Sequence, residues 1–174
     1  MQVYQPAEDS YLFAEFLRKY LLRLPELDIS YLDMGTGSGI LGETALDIGV
    51  ASVMAADINP DAVIAARKKD IEVVKSDLFS NVEGKFDLIT FNAPYLPEDD
   101  REPTDSRVAT TGGKNGDEIS VRFLTEAKKH LNENGKIFLL VSSLTPMDKI
   151  NEFKPVVVSK TGIFGEELII LEIR

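Results

Sequence analysis

Asp33-Met34-Gly35-Thr36-Gly37-Ser38-Gly39 stands between an apolar run, residues 29–34, and a helix-forming stretch that begins at about Gly39. Glycines in such a turn take up positive φ and let a ligand approach the backbone, and the helix start presents unpaired N–H groups. Gly37-Ser38-Gly39-Ile40-Leu41-Gly42 also fits the GxGxxG pattern of dinucleotide sites, a match that is weak by itself. Asp57 follows about twenty residues later at the end of a second apolar run, where a carboxylate can hold both hydroxyls of a ribose. Asp77 would end a third strand on the same rim, within reach of an adenine amine.

On either side of that turn, strand-like and helical stretches alternate. Residues 29–34, 51–58, 71–74 and 86–91 read as strands, with helices from about Gly39 and from Pro60. This is the βαβ rhythm of a parallel sheet. Upstream, Leu12, Phe13, Phe16, Leu17, Tyr20, Leu21 and Leu24 recur at helical spacing, with Asp9 and Ser10 as candidate caps after Pro6. Residues 1–28 are thus an N-terminal helical segment covering one face of the core. Downstream, residues 117–131 read as helix, 136–141 as a buried strand, 146–153 as a short helix, and 155–160 and 167–173 as strands. Thr161-Gly162-Ile163-Phe164-Gly165 is too short for a crossover helix, which makes the last pair antiparallel.

The 174 residues read as one domain, 1–174, long enough to bury a core. A formal charge of −10 argues against unaided nucleic-acid binding and favours a basic protein partner. Without cysteine there is no disulfide and no cysteine-ligated zinc, and the lone His130 beside Lys128 and Lys129 reads as a helix-terminal cation, so no metal site is expected. No apolar run approaches the roughly 20 residues that span a bilayer. Met1-Gln2-Val3-Tyr4 lacks the basic and apolar parts of a targeting segment, which points to the cytoplasm.

Asn92-Ala93-Pro94-Tyr95 closes the fourth strand. An amide side chain at a strand end can accept a hydrogen bond from a substrate NH2, Pro94 stiffens the backbone whose carbonyls can accept another, and Tyr95 offers a flat packing face. With the glycine turn upstream, this suggests methyl transfer to a planar amine. Residues 97–116 form a polar, glycine-containing stretch whose length suggests a substrate-facing loop. Glu98, Asp99, Asp100, Glu102 and Asp105 make its first half acidic and suited to a basic partner.

These motifs, with Tyr4-Gln5-Pro6-Ala7-Glu8-Asp9-Ser10, Asp57-Ile58-Asn59-Pro60, Ser76-Asp77-Leu78-Phe79, Gly112-Gly113-Lys114-Asn115-Gly116 and Gly165-Glu166-Glu167, come in an order that resembles the class I S-adenosylmethionine-dependent methyltransferases. Within them the chain is most similar to the HemK-related group that methylates glutamine in peptide release factors, in its short archaeal and eukaryotic branch. The resemblance implies an α/β, Rossmann-like class I methyltransferase fold: a seven-stranded, mostly parallel sheet with a reversed C-terminal β-hairpin and helices on both faces. It implies S-adenosyl-L-methionine as cofactor and S-adenosyl-L-homocysteine as product. Asp33, Gly35 and Gly37 would floor the methionine portion, Asp57 would hold the ribose and Asp77 the adenine. Tyr4, Pro6, Asp9, Ser10, Thr36, Gly39, Ile58, Asn59, Leu78 and Asn92 would join the cofactor site, and Asn92, Ala93, Pro94 and Tyr95 would be the catalytic segment. The family usually has Asn-Pro-Pro-Tyr where this chain has Ala93. The connection through Arg67-Lys68-Lys69-Asp70 is shorter than usual, which would truncate the helix before the third strand.

Glutamine in a release factor is the leading substrate. An adenine amine, a protein lysine, an NAD-dependent oxidoreductase and a non-catalytic cofactor sensor are the alternatives. The resemblance to the short branch implies a small zinc-binding activator subunit and no extra N-terminal domain of the kind that longer relatives use to hold release factors. The strand Ile71-Glu72-Val73-Val74-Lys75, at a sheet edge in the family's order, is where such a partner would add a strand.

Overall fold

The run ahead of the glycine turn becomes β1, Ser30–Met34, and lies at the middle of a sheet. The computed structural model describes residues 5–96, 111–163 and 165–174. Besides β1, the chain forms α1 (Glu8–Leu21), α2 (Ile40–Ile48), β2 (Ser52–Asp57), α3 (Pro60–Arg67), β3 (Glu72–Lys75), β4 (Phe86–Asn92), α4 (Glu118–Ala127), β5 (Leu131–Ser142), α5 (Asp148–Asn151), β6 (Val156–Ile163) and β7 (Glu166–Ile173). The order across the sheet is β3-β2-β1-β4-β5-β7-β6. The pairs from β3 through β5 are parallel, and β7 runs antiparallel to both β5 and β6. The α/β sheet and its reversed hairpin are those anticipated from the sequence, with the hairpin strands extending closer to the turn than read there.

β1 shows why the sheet needs cover on both sides: Tyr31 and Leu32 point to opposite faces and both are fully buried. Phe13, Leu17 and Leu21 of α1 are spaced by four and form one stripe, which packs with α2 and α3 on Tyr31, Leu88 and Phe138. Each such side chain contributes ~1.5–3 kcal/mol by leaving water. Phe138 is held edge-on by Phe16 and Tyr20, with ring centroids 5.0 and 4.7 Å away. On the opposite face, Phe123 and Leu124 of α4 and Ile150 of α5 cover Leu32, Ile89 and Ile137.

Three local readings are refined. The residue before α1 is Ala7, which makes no side-chain cap, while Asp9 and Ser10 lie buried inside the first turn. Their side chains are used elsewhere, as the site shows. The helix expected over residues 117–131 stops at Ala127, a 3-10 turn spans Lys128–His130, and β5 starts at Leu131 instead of 136. Leu131 pairs with Phe86 across an irregularity, and Asn134 with φ 67° absorbs the bend, so a turn-like sequence remains in the strand. His130 stacks on Phe79, with centroids 4.6 Å apart, and its Nδ1 lies 3.0 Å from the Gly84 carbonyl. The short connection before β3 leaves α3 with 8 residues and reverses through Asp70 at φ 60°.

A polar network crosses the middle of the sheet. The Tyr31 hydroxyl and Thr90 Oγ1 are 2.6 Å apart, and Thr90 also donates to Asp33 Oδ1 at 3.4 Å. The Thr36 hydroxyl and the Gly42 N–H donate to Asp33 Oδ2 at 2.6 and 3.3 Å. Burial disfavours the charged carboxylate and raises Asp33 from 3.8 to about 7, against the pull of these donors. Between those values the folded chain holds a proton that the unfolded chain has released. The Asp33 contribution to stability therefore falls as pH rises from about 4 to about 7 and is level above that. Asp33→Asn removes this titration, so denaturant midpoints at pH 5 and pH 8 should lie closer together in the variant than in the wild type; an unchanged gap would show that Asp33 is not its source.

Candidate active site

The strand order reverses beside β1: the chain goes out through β2 and β3, then returns to place β4 on the other side. Ligands of open α/β sheets bind in the crevice that such a reversal leaves at the strands' carboxyl ends. Here Asp33 pairs with Thr90 and Met34 with Phe91, so the glycine turn and the Asn92 segment leave the sheet side by side. A cavity of about 420 Å³ lies between them.

The glycine turn forms its floor. Gly35 and Gly37 have φ of 61° and 52°, and a Cβ on Gly35 would stand 2.8 Å from the Phe91 ring. Neither the conformation nor the space admits a side chain at Gly35. Asp57, at the end of β2, accepts the Gly37 N–H on Oδ2 and the Asn59 N–H on Oδ1, each at 2.8 Å. Burial raises Asp57 above the usual carboxylate range, while these amide donors pull the other way. Asp57 therefore fastens the turn and lines the cavity at once.

The end of β3 supplies another wall. The Ser76 hydroxyl donates to the Leu78 carbonyl at 2.6 Å and accepts the Asn81 N–H at 2.9 Å, holding a tight turn in which Leu78 takes φ 47°. Asp77 lines the cavity but is half exposed, and its Oδ1 pairs with Arg122 at 2.9 Å. An exposed pair of this kind adds little stability and leaves the second oxygen for another donor.

Asn92 ends β4. Its Nδ2 donates to Asp9 Oδ2 at 3.0 Å, while its Oδ1 is buried without a hydrogen-bond partner among the described residues. Buried acceptors are rarely left so, and each exception calls for an explanation, a bound ligand or an ordered water among them. The following residues are braced by the second glycine motif. The Gly112 N–H donates to the Leu96 carbonyl at 2.9 Å, and a Cβ on Gly112 would fall 2.5 Å from the Pro94 carbonyl oxygen. Glu118 closes this turn by accepting the N–H groups of Asn115 and Gly116, both at 3.2 Å.

Asp9, Ser10, Asp33, Gly35, Thr36, Gly37, Asp57, Ile58, Asn59, Asp77, Leu78, Asn92, Ala93, Pro94 and Tyr95 all line this cavity. Pro6 and Gly39 do not: Gly39 precedes α2 at φ 81°, and its open side faces Lys69 and Ile71. Tyr4 and residues 97–110 of the anticipated substrate-facing loop lie outside the described residues. Phe91, Leu96, Thr111 and Ile119 also line the cavity and were not singled out, being residues without distinctive chemistry that flank the marked motifs. Among the described residues, no group of three or more His, Cys, Asp or Glu side chains is arranged to hold a metal, and no helix is long and apolar enough to cross a membrane.

Residues 10–164 match the methyltransferase small domain family. The chain is 40% identical over 163 residues to a Methanocaldococcus jannaschii protein provisionally named a protein N5-glutamine methyltransferase, covering 88% of this chain and 80% of that one. It is 32% identical over 152 residues to methyltransferase HEMK2 of Mus musculus, 79% of this chain and 71% of the relative. Against the release factor glutamine methyltransferase of Streptococcus pneumoniae it is 32% identical over 128 residues, 66% of this chain and 46% of the relative. In fold it is similar to the ribosomal protein L11 methylase of Lactobacillus delbrueckii subsp. bulgaricus, with a TM-score of 0.70, 22% identity, and coverage of 98% of this chain and 81% of that one. By sequence and by its Rossmann-like sheet with a reversed hairpin, the chain belongs to the methyltransferase small domain family, among the HemK-related protein methyltransferases.

Proposed function

We propose that this protein is an S-adenosyl-L-methionine-dependent N-methyltransferase whose substrate is a planar amide nitrogen, the side chain of glutamine in a peptide release factor. The observation that carries this reading is the buried Oδ1 of Asn92, which has no hydrogen-bond partner among the described residues and belongs to a residue that lines the cavity opposite the glycine turn. A substrate NH2 is the donor such an acceptor lacks. Relatives named for glutamine methylation support the amide over an adenine amine, as does the chain's charge of −10. Membership of a methyltransferase family favours methyl over hydride transfer.

The residues fit the cofactor. Asp57 is fastened by backbone amides, those of Gly37 and Asn59 at 2.8 Å, and its carboxylate at the cavity wall has about four lone-pair sites, so acceptor capacity remains for the ribose. The bare backbone at Gly35 and Gly37 suits the methionine portion, and Ile58 and Leu78 suit the adenine, with the Asp77 carboxylate for its amine. When bound, the cofactor supplies a methyl carbon that passes from sulfur to the substrate nitrogen, leaving S-adenosyl-L-homocysteine, while that nitrogen gives up a proton. An amide nitrogen is a poor nucleophile because its lone pair is delocalised into the carbonyl. The protein's task is to orient it: Asn92 Oδ1 takes one N–H, the Ala93 carbonyl takes the other, and Tyr95 packs against the planar group. In favourable systems such orientation supplies up to ~7–11 kcal/mol.

The reading extends to a partner, a small zinc-binding activator that adds to the β3 edge. Among the described residues β3 pairs with β2 alone, Glu72 and Lys75 stand exposed on it, and α3 beside it presents Ile64 at 52% exposure. Ile64→Glu should abolish co-purification of that subunit from native lysate while leaving the fold intact by circular dichroism. Undiminished recovery of the subunit with Ile64→Glu would remove the α3 face from the interface.

Asp57→Ala should weaken cofactor binding by about tenfold or more, the loss of hydrogen bonds to a charged acceptor; titration calorimetry showing unchanged affinity would withdraw the ribose assignment. Asn92→Ala should keep cofactor affinity within about twofold yet lower kcat on the order of a hundredfold, as the loss of a transition-state hydrogen bond does. Mass spectrometry with isotopically labelled cofactor reads both substrate and rate. Label on an adenine oligonucleotide, with none on glutamine peptides, would move the assignment to the nucleic-acid alternative.

A further inference from the structure

Asn92 can serve as an acceptor for substrate only if its amide is held with the oxygen free, and an amide can otherwise turn over and exchange its two ends. The structure contains the group that holds it. Asp9, 83 residues away in sequence and buried in the first turn of α1, accepts Asn92 Nδ2 on its Oδ2 at 3.0 Å. Its other oxygen, Oδ1, accepts the Ser10 N–H at 2.7 Å and the Ser10 hydroxyl at 3.2 Å. An ionised carboxylate offers acceptors alone, so a carboxylate here leaves Asn92 one favourable orientation, NH2 toward Asp9 and oxygen away from it. The start of α1, with Glu8 also in its first turn, is where a helix favours negative charge.

We infer that Asp9 is a positioning residue: by fixing Asn92 as an acceptor, it makes the site select an NH2-bearing side chain over a carboxylate of the same shape, glutamine over glutamate. The inference rests on the reading of Asn92 as the substrate clamp. It moves Asp9 from the cofactor set, where the family resemblance put it, to the substrate side of the cavity. A glutamate oxygen brought to Asn92 Oδ1 sets acceptor against acceptor and leaves both unsatisfied. Sites built around a substrate hydrogen bond can reject analogues that cannot make it by ~10⁴-fold.

The isosteric change is the informative one. In Asp9→Asn, the oxygen that holds the Ser10 N–H is retained, which puts the new NH2 against Asn92 and drives that amide to turn over. Its NH2 then meets the substrate. Asp9→Ala removes the partner without imposing the reverse orientation. Asp9→Asn should therefore be more damaging than Asp9→Ala, the opposite of what a packing role gives.

With a glutamine peptide, kcat should fall by about tenfold or more in Asp9→Asn and by less in Asp9→Ala, with the cofactor Kd within about twofold of wild type. A matched glutamate peptide, added as a competitor, should inhibit Asp9→Asn at least about tenfold more strongly than wild type. In cofactor-free protein labelled with 15N, the side-chain NH2 resonances of Asn92 should shift and exchange faster with water in both variants. Wild-type turnover and discrimination in Asp9→Asn, or unmoved Asn92 resonances, would overturn the inference. So would a tenfold weaker cofactor Kd with turnover intact at saturating cofactor, which would return Asp9 to the cofactor. If the wild type methylates no glutamine peptide, the functional reading falls, and the Asn92 resonances still decide whether Asp9 holds the amide.

Discussion

The parallel pairing of β1 with β4 is the constraint on which the site depends. Because Asp33 lies level with Thr90 and Met34 with Phe91, two loops far apart in sequence leave the sheet at the same height. A slip of one residue would turn every side chain of one strand to the other face and exchange Tyr31 with Leu32 between two dry layers. The register is thus enforced by burial across the whole sheet, and the crevice inherits its accuracy. Phe91 makes the link tangible: its ring closes the space beside Gly35, so the floor of the cavity and the strand that carries Asn92 are in contact.

Around the crevice, the chain accumulates polar groups in places that disfavour them. Asp33 and Asp57 are both buried, both have raised pKa values, and each is held by amide or hydroxyl donors instead of a countercharge. Asn92 Oδ1 has no donor among the described residues. Such groups are retained where a ligand completes them, and the stability they forgo is offset by the apolar layers above and below.

The fold was largely legible because its signals are local and repeated. Apolar runs alternating with helical spacing gave the parallel sheet, and the short link after Thr161 gave the reversed hairpin. The details that escaped depend on distant parts of the chain. Asp9 and Ser10 read as caps because Asp and Ser usually are, yet Asp9 is engaged by Asn92, 83 residues away. The gap between a helix read to 131 and a strand read from 136 is itself strand, because Leu131 has a partner in Phe86 that no local pattern announces. The site divides in the same way. Glycines, strand-end carboxylates and the Asn92 segment declare themselves by type, whereas Leu96, Thr111 and Ile119 reach the cavity only through folding. The hydrogen bond that sets the polarity of Asn92 has no signature in sequence order.

The contact between Leu96 and Thr111 separates two kinds of evolutionary freedom. The two residues form a parallel bridge, the Gly112 N–H seals it onto Leu96, and Gly112 sits too close to the Pro94 carbonyl to carry a side chain. Leu96 and Thr111 are thereby fixed to each other near the end of β4, and closing a flexible loop costs only about 0.6 kcal/mol more for each doubling of its length. Insertions between Leu96 and Thr111 therefore carry a small entropic cost of closure. At Gly112 the freedom ends, since a side chain there would meet the Pro94 carbonyl two residues after Asn92.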